Sequence, residues 1–130
     1  LIVDDETAVR RVIQRKLSAE GYHCREAADA DQALDELRRH PIELVLLDIN
    51  MPGRSGLQLI PQIKELYPDT LVVMTTGVVD TYTTIQCIRE GAFDYITKPL
   101  NLDELLVGNI LFCLLGGNIF SIGLVVKWSV

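Results

Sequence analysis

The sequence predicts an α/β fold, a doubly wound parallel sheet of five strands with helices on both faces, and three observations carry that prediction. Short apolar runs at Leu1-Ile2-Val3, Leu44-Val45-Leu46-Leu47 and Leu71-Val72-Val73-Met74 lack polar alternation, as strands buried on both faces do. Stretches with apolar residues at helical spacing separate the strands, so strand and helix alternate five times; that order calls for right-handed crossovers between parallel neighbours. The 130 residues, 48% hydrophobic and 23% charged, suffice for one domain with a real core.

Leu1 to Val3 is the first strand, closed by Asp4-Asp5-Glu6. The run opens in mid-strand, so residues are expected to precede it. Val9, Val12, Ile13 and Leu17 mark a first helix, and Gly21 is suited to end it as a C-terminal cap. Tyr22 to Ala27 reads as a short second strand. Asp29 or Asp31 caps a second helix with Ala33, Leu34 and Leu37 inward. The central strand runs to Asp48 and breaks into the turn Met51-Pro52-Gly53. Ser55 caps a third helix carrying Leu57, Ile60, Ile63 and Leu66; Pro61 inside it should kink it or delay its start. Pro68-Asp69 is a turn, and Leu71 to Thr75 is the fourth strand, ending at Thr76-Gly77. Asp80 to Glu90 forms a fourth helix capped by Gly91, Phe93 to Thr97 the fifth strand, and Asn101 caps a last helix from Leu102.

Composition narrows function. The net charge is −6 and no run of Lys or Arg exceeds two, which argues against direct binding of nucleic acid. Cys24, Cys87 and Cys113 lie far apart with no C-x-x-C, so they read as reduced thiols of a cytoplasmic protein, neither a disulfide frame nor a zinc site. His23 and His40 fit no motif and read as surface residues.

The chemistry gathers at the strand ends. In an open parallel sheet the carboxyl ends share one edge, where ligands bind. Asp4 and Asp5 come from strand one, Asp48 from strand three, Thr76 from strand four and Lys98 from strand five. Three converging carboxylates repel and raise one another's pKa unless a cation sits among them, and Mg²⁺ is the natural hard cation for oxygen donors. An ammonium and a hydroxyl beside one carboxylate suit a phosphoryl group, with the carboxylate free to attack. Two other uses of the edge are weaker. A nucleotide-binding loop would put glycines after the first strand, where Asp4-Asp5-Glu6 stands. An aspartyl phosphatase would place its nucleophile on the first strand with a second acid two residues on; Asp4 and Glu6 have that spacing, but the turn after Asp48 is then unexplained.

Four segments in register, Asp4-Asp5-Glu6, Leu46-Leu47-Asp48-Ile49-Asn50-Met51-Pro52-Gly53, Met74-Thr75-Thr76-Gly77 and Tyr95-Ile96-Thr97-Lys98-Pro99, resemble the receiver domain of response regulators in two-component signalling. The resemblance runs from Leu1 to about Leu106. It implies a three-layer, flavodoxin-like fold with strand order 2-1-3-4-5. It implies that Asp48 accepts a phosphoryl group from a histidine kinase, that Asp5, Asp48 and the backbone carbonyl of Asn50 hold Mg²⁺, and that Asp4 assists through water. Lys98 and Thr76 then contact the phosphoryl oxygens, and Tyr95 follows Thr76 inward as the switch. Asn50 and Val78 occupy positions that tune phosphate lifetime. Such a domain is a phosphoacceptor, not an enzyme beyond weak self-phosphorylation and self-dephosphorylation. Ala92-Phe93-Asp94-Tyr95 is closest in flavour to receivers of enhancer-binding transcription activators. No output domain is expected within these residues.

The C-terminal stretch departs from that pattern. Residues 1–106 are expected to form the receiver, and 107–130 an atypical apolar segment that completes or replaces the last helix. From Leu105 to Val126 there is no charge, and after Glu104 only Lys127 carries one. As one helix this run would be roughly 33 Å long, enough for a bilayer core. Against a span, Asp103 and Glu104 stand where positive charge is expected, Lys127 lies on the wrong side, and the run begins inside the last helix. The expectation is a helix from Leu102 to about Leu115, a break at Gly116-Gly117 and an exposed apolar segment from Asn118 to Val126. A homodimer is the family's usual assembly and uses the last helix, the stretch altered here. The rival reading of the whole chain is an interaction module of receiver type that works without phosphorylation.

Overall fold

The computed structural model describes residues 1–77 and 81–98. The chain divides into two units, Leu1–Pro99 and Leu100–Val130, and the second lies outside the described residues. So do the expected last helix, the expected boundary at 106/107, the apolar tail, Val78, Asp80 and Cys113. The described elements run β1 (Ile2–Val3), α1 (Thr7–Ala19), β2 (Glu26–Ala27), α2 (Ala30–Arg39), β3 (Leu44–Asp48), α3 (Gly56–Leu66), β4 (Leu71–Thr76), α4 (Thr81–Arg89) and β5 (Asp94–Thr97).

The strands form one sheet in the order β2-β1-β3-β4-β5, every pairing parallel. The fold class and strand order agree with expectation. Right-handed crossovers then place the helices. The chain steps one way from β1 to β2 and the other way from β2 through β3 and β4 to β5. Hence α1 covers one face, while α2, α3 and α4 share the other and touch in sequence. Strand residues divide accordingly. Val3, Val45, Leu47, Val72 and Met74 pack with Ala33, Leu37, Leu59, Ile60, Ile63 and Cys87 in one core. Ile2, Leu46 and Val73, equally buried, alternate to the opposite face, where α1 buries Ile13 and Leu17. Each such Leu or Ile contributes about 1.5–3 kcal/mol by leaving water. That scale explains why the runs are unbroken.

Helix boundaries follow local chemistry. Gly21, at φ +92°, takes the left-handed position just past α1. Asp29 caps α2, accepting the Gln32 N–H at 2.8 Å; of the two candidate caps, Asp31 is the one inside the helix. Ser55 and Gln58 form a reciprocal capping box at the start of α3.

Four expectations need correction. The second strand does not begin at Tyr22. The Tyr22 N–H is committed to the Leu17 carbonyl of α1, and only Glu26 and Ala27 pair with β1. In α3, Leu66 is 57% exposed and Leu59 is buried instead. Steps of three residues fall about 60° short of a turn each time, so Leu57 and Leu66 end on opposite sides. Val12 is 61% exposed for a related reason: Val9, Ile13 and Leu17 share a stripe, and Val12 lies about 100° from Ile13. Pro61 does not delay α3 either. The helix starts at Gly56 and runs through the exposed Pro61, which removes one hydrogen bond to the Leu57 carbonyl.

Cys24 and Cys87 are free thiols, His23 is exposed and His40 half-buried. Among the described residues no helix is long and apolar enough to cross a membrane.

One glycine fixes how α3 meets the sheet. A Cβ on Gly56 would stand 2.1 Å from the Asp48 carbonyl oxygen, a backbone atom with no freedom to yield. The Gly56 N–H also donates to the Ile49 carbonyl at 2.9 Å. Gly56→Ala is therefore expected to destabilise the domain by about 1–3 kcal/mol, as overpacking does, despite alanine's better helix propensity. Urea unfolding measures this; unchanged or increased stability contradicts the close approach.

Candidate functional site: an acidic pocket at the sheet edge

Register assembles the site. Val3 pairs with Leu47, so Asp4 and Asp48, one step further on, emerge side by side from β1 and β3. Asp48 itself pairs with Thr75 of β4. Thr76 pairs with Thr97, which brings Lys98 to the same edge from β5. The Lys98 N–H donates to the Thr76 carbonyl at 2.6 Å and closes that corner.

The turn after β3 is built to present Asp48. The Ile49 N–H donates to the Thr75 carbonyl at 3.1 Å and the Asn50 N–H to Asp48 Oδ1 at 3.2 Å. Met51 is buried and anchors the turn, while Gly53 takes φ +81°, a left-handed conformation that other residues adopt at a cost.

Asp4 is 1% and Asp48 3% exposed, whereas Asp5 faces solvent. Asp4 accepts the Glu6 N–H through Oδ1 at 2.9 Å. Its Oδ2 takes the Lys98 ammonium at 2.9 Å, and the same Nζ lies 3.4 Å from Asp48 Oδ1. Burial raises the Asp48 pKa above its ordinary value and the Asp4 charge raises it further; Lys98 and the Asn50 N–H pull the other way without winning. For Lys98, burial lowers the pKa, but the hydrogen bond it donates to Asp4 and the charges of Asp48 and Asp4 prevail, so the ammonium is held above its ordinary value.

Asp4, Asp5 and Asp48 each offer a carboxylate oxygen, and these oxygens lie within 4.8 Å of one another. Two oxygens on one Mg²⁺ stand at most about 4.2 Å apart, twice the 2.1 Å bond. The three oxygens are near enough to converge on a single hard cation, and one such ion would offset the Asp4 charge that adds to burial in raising the Asp48 pKa.

Of the residues singled out in the sequence, Asp4, Asp5, Asp48 and Lys98 come together directly. Asn50 lies on the turn with its N–H on Asp48 and is exposed. Thr75 and Thr76 are both buried at the end of β4, and Thr76 is the one joined to Lys98. Tyr95 pairs with Met74, two positions below Thr76, and packs half-buried against the core. Two residues that shape the pocket escaped the sequence reading. Gly56 could have been suspected, since glycine in a first helical turn is a poor helix former. Arg10, which reaches back to Asp4, has no sequence signal separating it from Arg11.

Comparison with known proteins agrees with this geometry. A family model of the response regulator receiver domain matches residues 1–108. The DNA-binding transcriptional regulator NtrC of Klebsiella pneumoniae is 37% identical over 103 residues, 79% of this chain and 22% of that protein. The chain thus spans less than a quarter of the length of such curated relatives. Among solved structures, the receiver domain of NtrX from Brucella abortus is 40% identical with a TM-score of 0.76, covering 81% of this chain and 89% of that one. A response regulator from Burkholderia pseudomallei carrying a phosphorylated aspartic acid and a calcium ion is 28% identical with a TM-score of 0.79, covering 86% and 66%. The sheet order, the acidic pocket beside Lys98 and these similarities together place the chain in the receiver-domain family of two-component response regulators.

Proposed function

We propose that the chain accepts a phosphoryl group from a histidine kinase on Asp48 and passes the signal on by a change of conformation. The observation that carries this reading is the position of Lys98 Nζ, 2.9 Å from Asp4 Oδ2 and 3.4 Å from Asp48 Oδ1, beside a trio of carboxylates able to hold a cation. An Asp48 oxygen attacks phosphorus, the bond from phosphorus to the donor's nitrogen breaks, and an acyl phosphate forms. Asp5, Asp48 and the Asn50 carbonyl would hold Mg²⁺, with Asp4 assisting through water. The bound ion supplies positive charge to the phosphoryl oxygens. Lys98 neutralises another of those oxygens as it leaves Asp4 and Asp48.

The phosphoryl group brings nearly two negative charges and strong acceptor oxygens to this corner. Thr76 donates to one of them, and Tyr95 moves inward behind it. To invert a 1:99 equilibrium the modification must favour the active arrangement by about 5.5 kcal/mol, within reach of several charge-assisted hydrogen bonds in a partly dry site. The chain acts as a cytoplasmic phosphoacceptor and does not turn over a substrate of its own. Its output lies in other residues or another protein. The receiver is taken to span residues 1–106.

Incubation of the full chain with Mg²⁺ and a small acyl phosphate should add one phosphoryl group by intact mass. Asp48→Asn should take none, and Lys98→Ala should slow the reaction by about tenfold or more, the loss of one hydrogen bond to a charged group. An equal adduct on Asp48→Asn would sink the assignment.

Stability should follow pH with a definite sign. The folded Asp48 pKa stands above its ordinary value, so its ionised form costs the native state stability above that pKa, and the cost disappears as pH falls through it. In chelator at pH 7, Asp48→Asn should therefore unfold at a temperature a few degrees higher, on the order of 1 kcal/mol. The gain should shrink on acidification. A variant less stable than the native chain at pH 7 contradicts the repulsion.

A further inference from the structure

Arg10 is placed unusually for a surface cation of a helix. Its side chain is only 13% exposed. Nη1 donates to the backbone carbonyl of Asp4 at 2.5 Å, and Nη2 to Thr7 Oγ1 at 3.2 Å. Nε faces Glu26 Oε1 at 3.4 Å but makes no hydrogen bond, although it is buried. The guanidinium is thus turned for the sake of the Asp4 carbonyl, at the expense of the ion pair to Glu26. An exposed helix cation paired only with Glu26 would contribute little and would not need such burial.

The turn it grips is the one that carries two of the three pocket acids. Asp4 is held from β2 by its N–H on the Ala27 carbonyl at 3.1 Å, and its carboxylate accepts the Glu6 N–H at 2.9 Å. Its other carboxylate oxygen takes the Lys98 ammonium at 2.9 Å, and Arg10 adds a tie from α1 to the peptide joining Asp4 to Asp5. That peptide sets the spacing between the buried carboxylate and the exposed one.

Resting on the cation site of the proposed function, we infer that Arg10 is a positioning residue of the acidic pocket: it fixes the Asp4–Asp5 peptide so that both carboxylates meet a divalent cation beside Asp48. Its charge and its geometry act in opposite directions. A positive charge near the pocket repels Mg²⁺, so if charge were all that mattered, removing it would tighten binding. Held geometry favours Mg²⁺, so removing the grip weakens binding. Groups that orient metal ligands typically alter affinity 10- to 100-fold when lost.

The test is a Mg²⁺ titration of the full chain, followed by the backbone amide shifts of Asp5 and Asp48, for the native protein and three variants. Arg10→Gln should raise the dissociation constant about tenfold. Arg10→Lys, which keeps one donor for the Asp4 carbonyl, should recover part of the loss. Glu26→Gln should stay within about twofold of native. Without Mg²⁺, the Glu6 amide should exchange with solvent faster in Arg10→Gln, since the turn it closes has lost its tie. Unchanged or tighter binding in Arg10→Gln overturns the inference and leaves the cation site standing. An equal loss in Glu26→Gln also overturns it, because the ion pair would then be the cause. A native chain that shows no shifts at millimolar Mg²⁺ removes the cation site and the inference with it.

Discussion

The burial of two carboxylates side by side at one corner of the sheet is what the surrounding structure has to accommodate. Asp4 and Asp48 leave neighbouring strands at the same level, both almost fully buried, with Asp5 beside them. Bare carboxylates this close are costly in a poorly solvated corner. The Lys98 ammonium lies beside two of them and offsets part of the cost, while burial first and the Asp4 charge second hold the Asp48 pKa above its ordinary value. The native state thus carries an unspent preference for positive charge at one point on its surface. In the proposed function, a cation and then a phosphoryl group with its Lys98 partner resolve that imbalance.

Holding such a site needs a scaffold that cannot relax away from it. The two apolar cores supply it, since strands buried on both faces fix register, and register alone sets Asp4 against Asp48 and Lys98 against Thr76. The loops are tied at their first residues. Gly56 brings α3 against the Asp48 backbone, the Ser55–Gln58 box starts that helix cleanly, and Arg10 grips the peptide after Asp4.

Much of this was legible in the sequence because it is local or periodic. Unbroken apolar runs marked β3 and β4, Asp29 and Ser55 announced their caps, and polar residues at the strand ends foretold the pocket. What escaped was geometry without a period. Leu59 and Leu66 exchanged roles because spacing by threes drifts around a helix. The second strand came out shorter because a helix end competes for Tyr22, which no strand propensity encodes. Arg10 was invisible because α1 carries several basic residues, and only the third dimension separates the one turned toward Asp4 from the others. The role of Gly56 depends on a contact with the strand end eight residues earlier.

In the proposed function the carboxylates at the sheet edge form one divalent-cation site, Asp4 through water, and its occupation relieves the repulsion between them. Ligand linkage tests it directly, because a cation that binds only the folded state stabilises it by about 2.7 kcal/mol at one hundred times its dissociation constant. Unfolding midpoints of the full chain should rise steadily with the logarithm of Mg²⁺ concentration. Sodium chloride at matched ionic strength should not reproduce the rise, and Asp5→Asn should largely abolish it. An equal rise with sodium, or an undiminished rise in Asp5→Asn, would mean that dissolved ions only screen the acids and none is held among them, which would contradict the cation site.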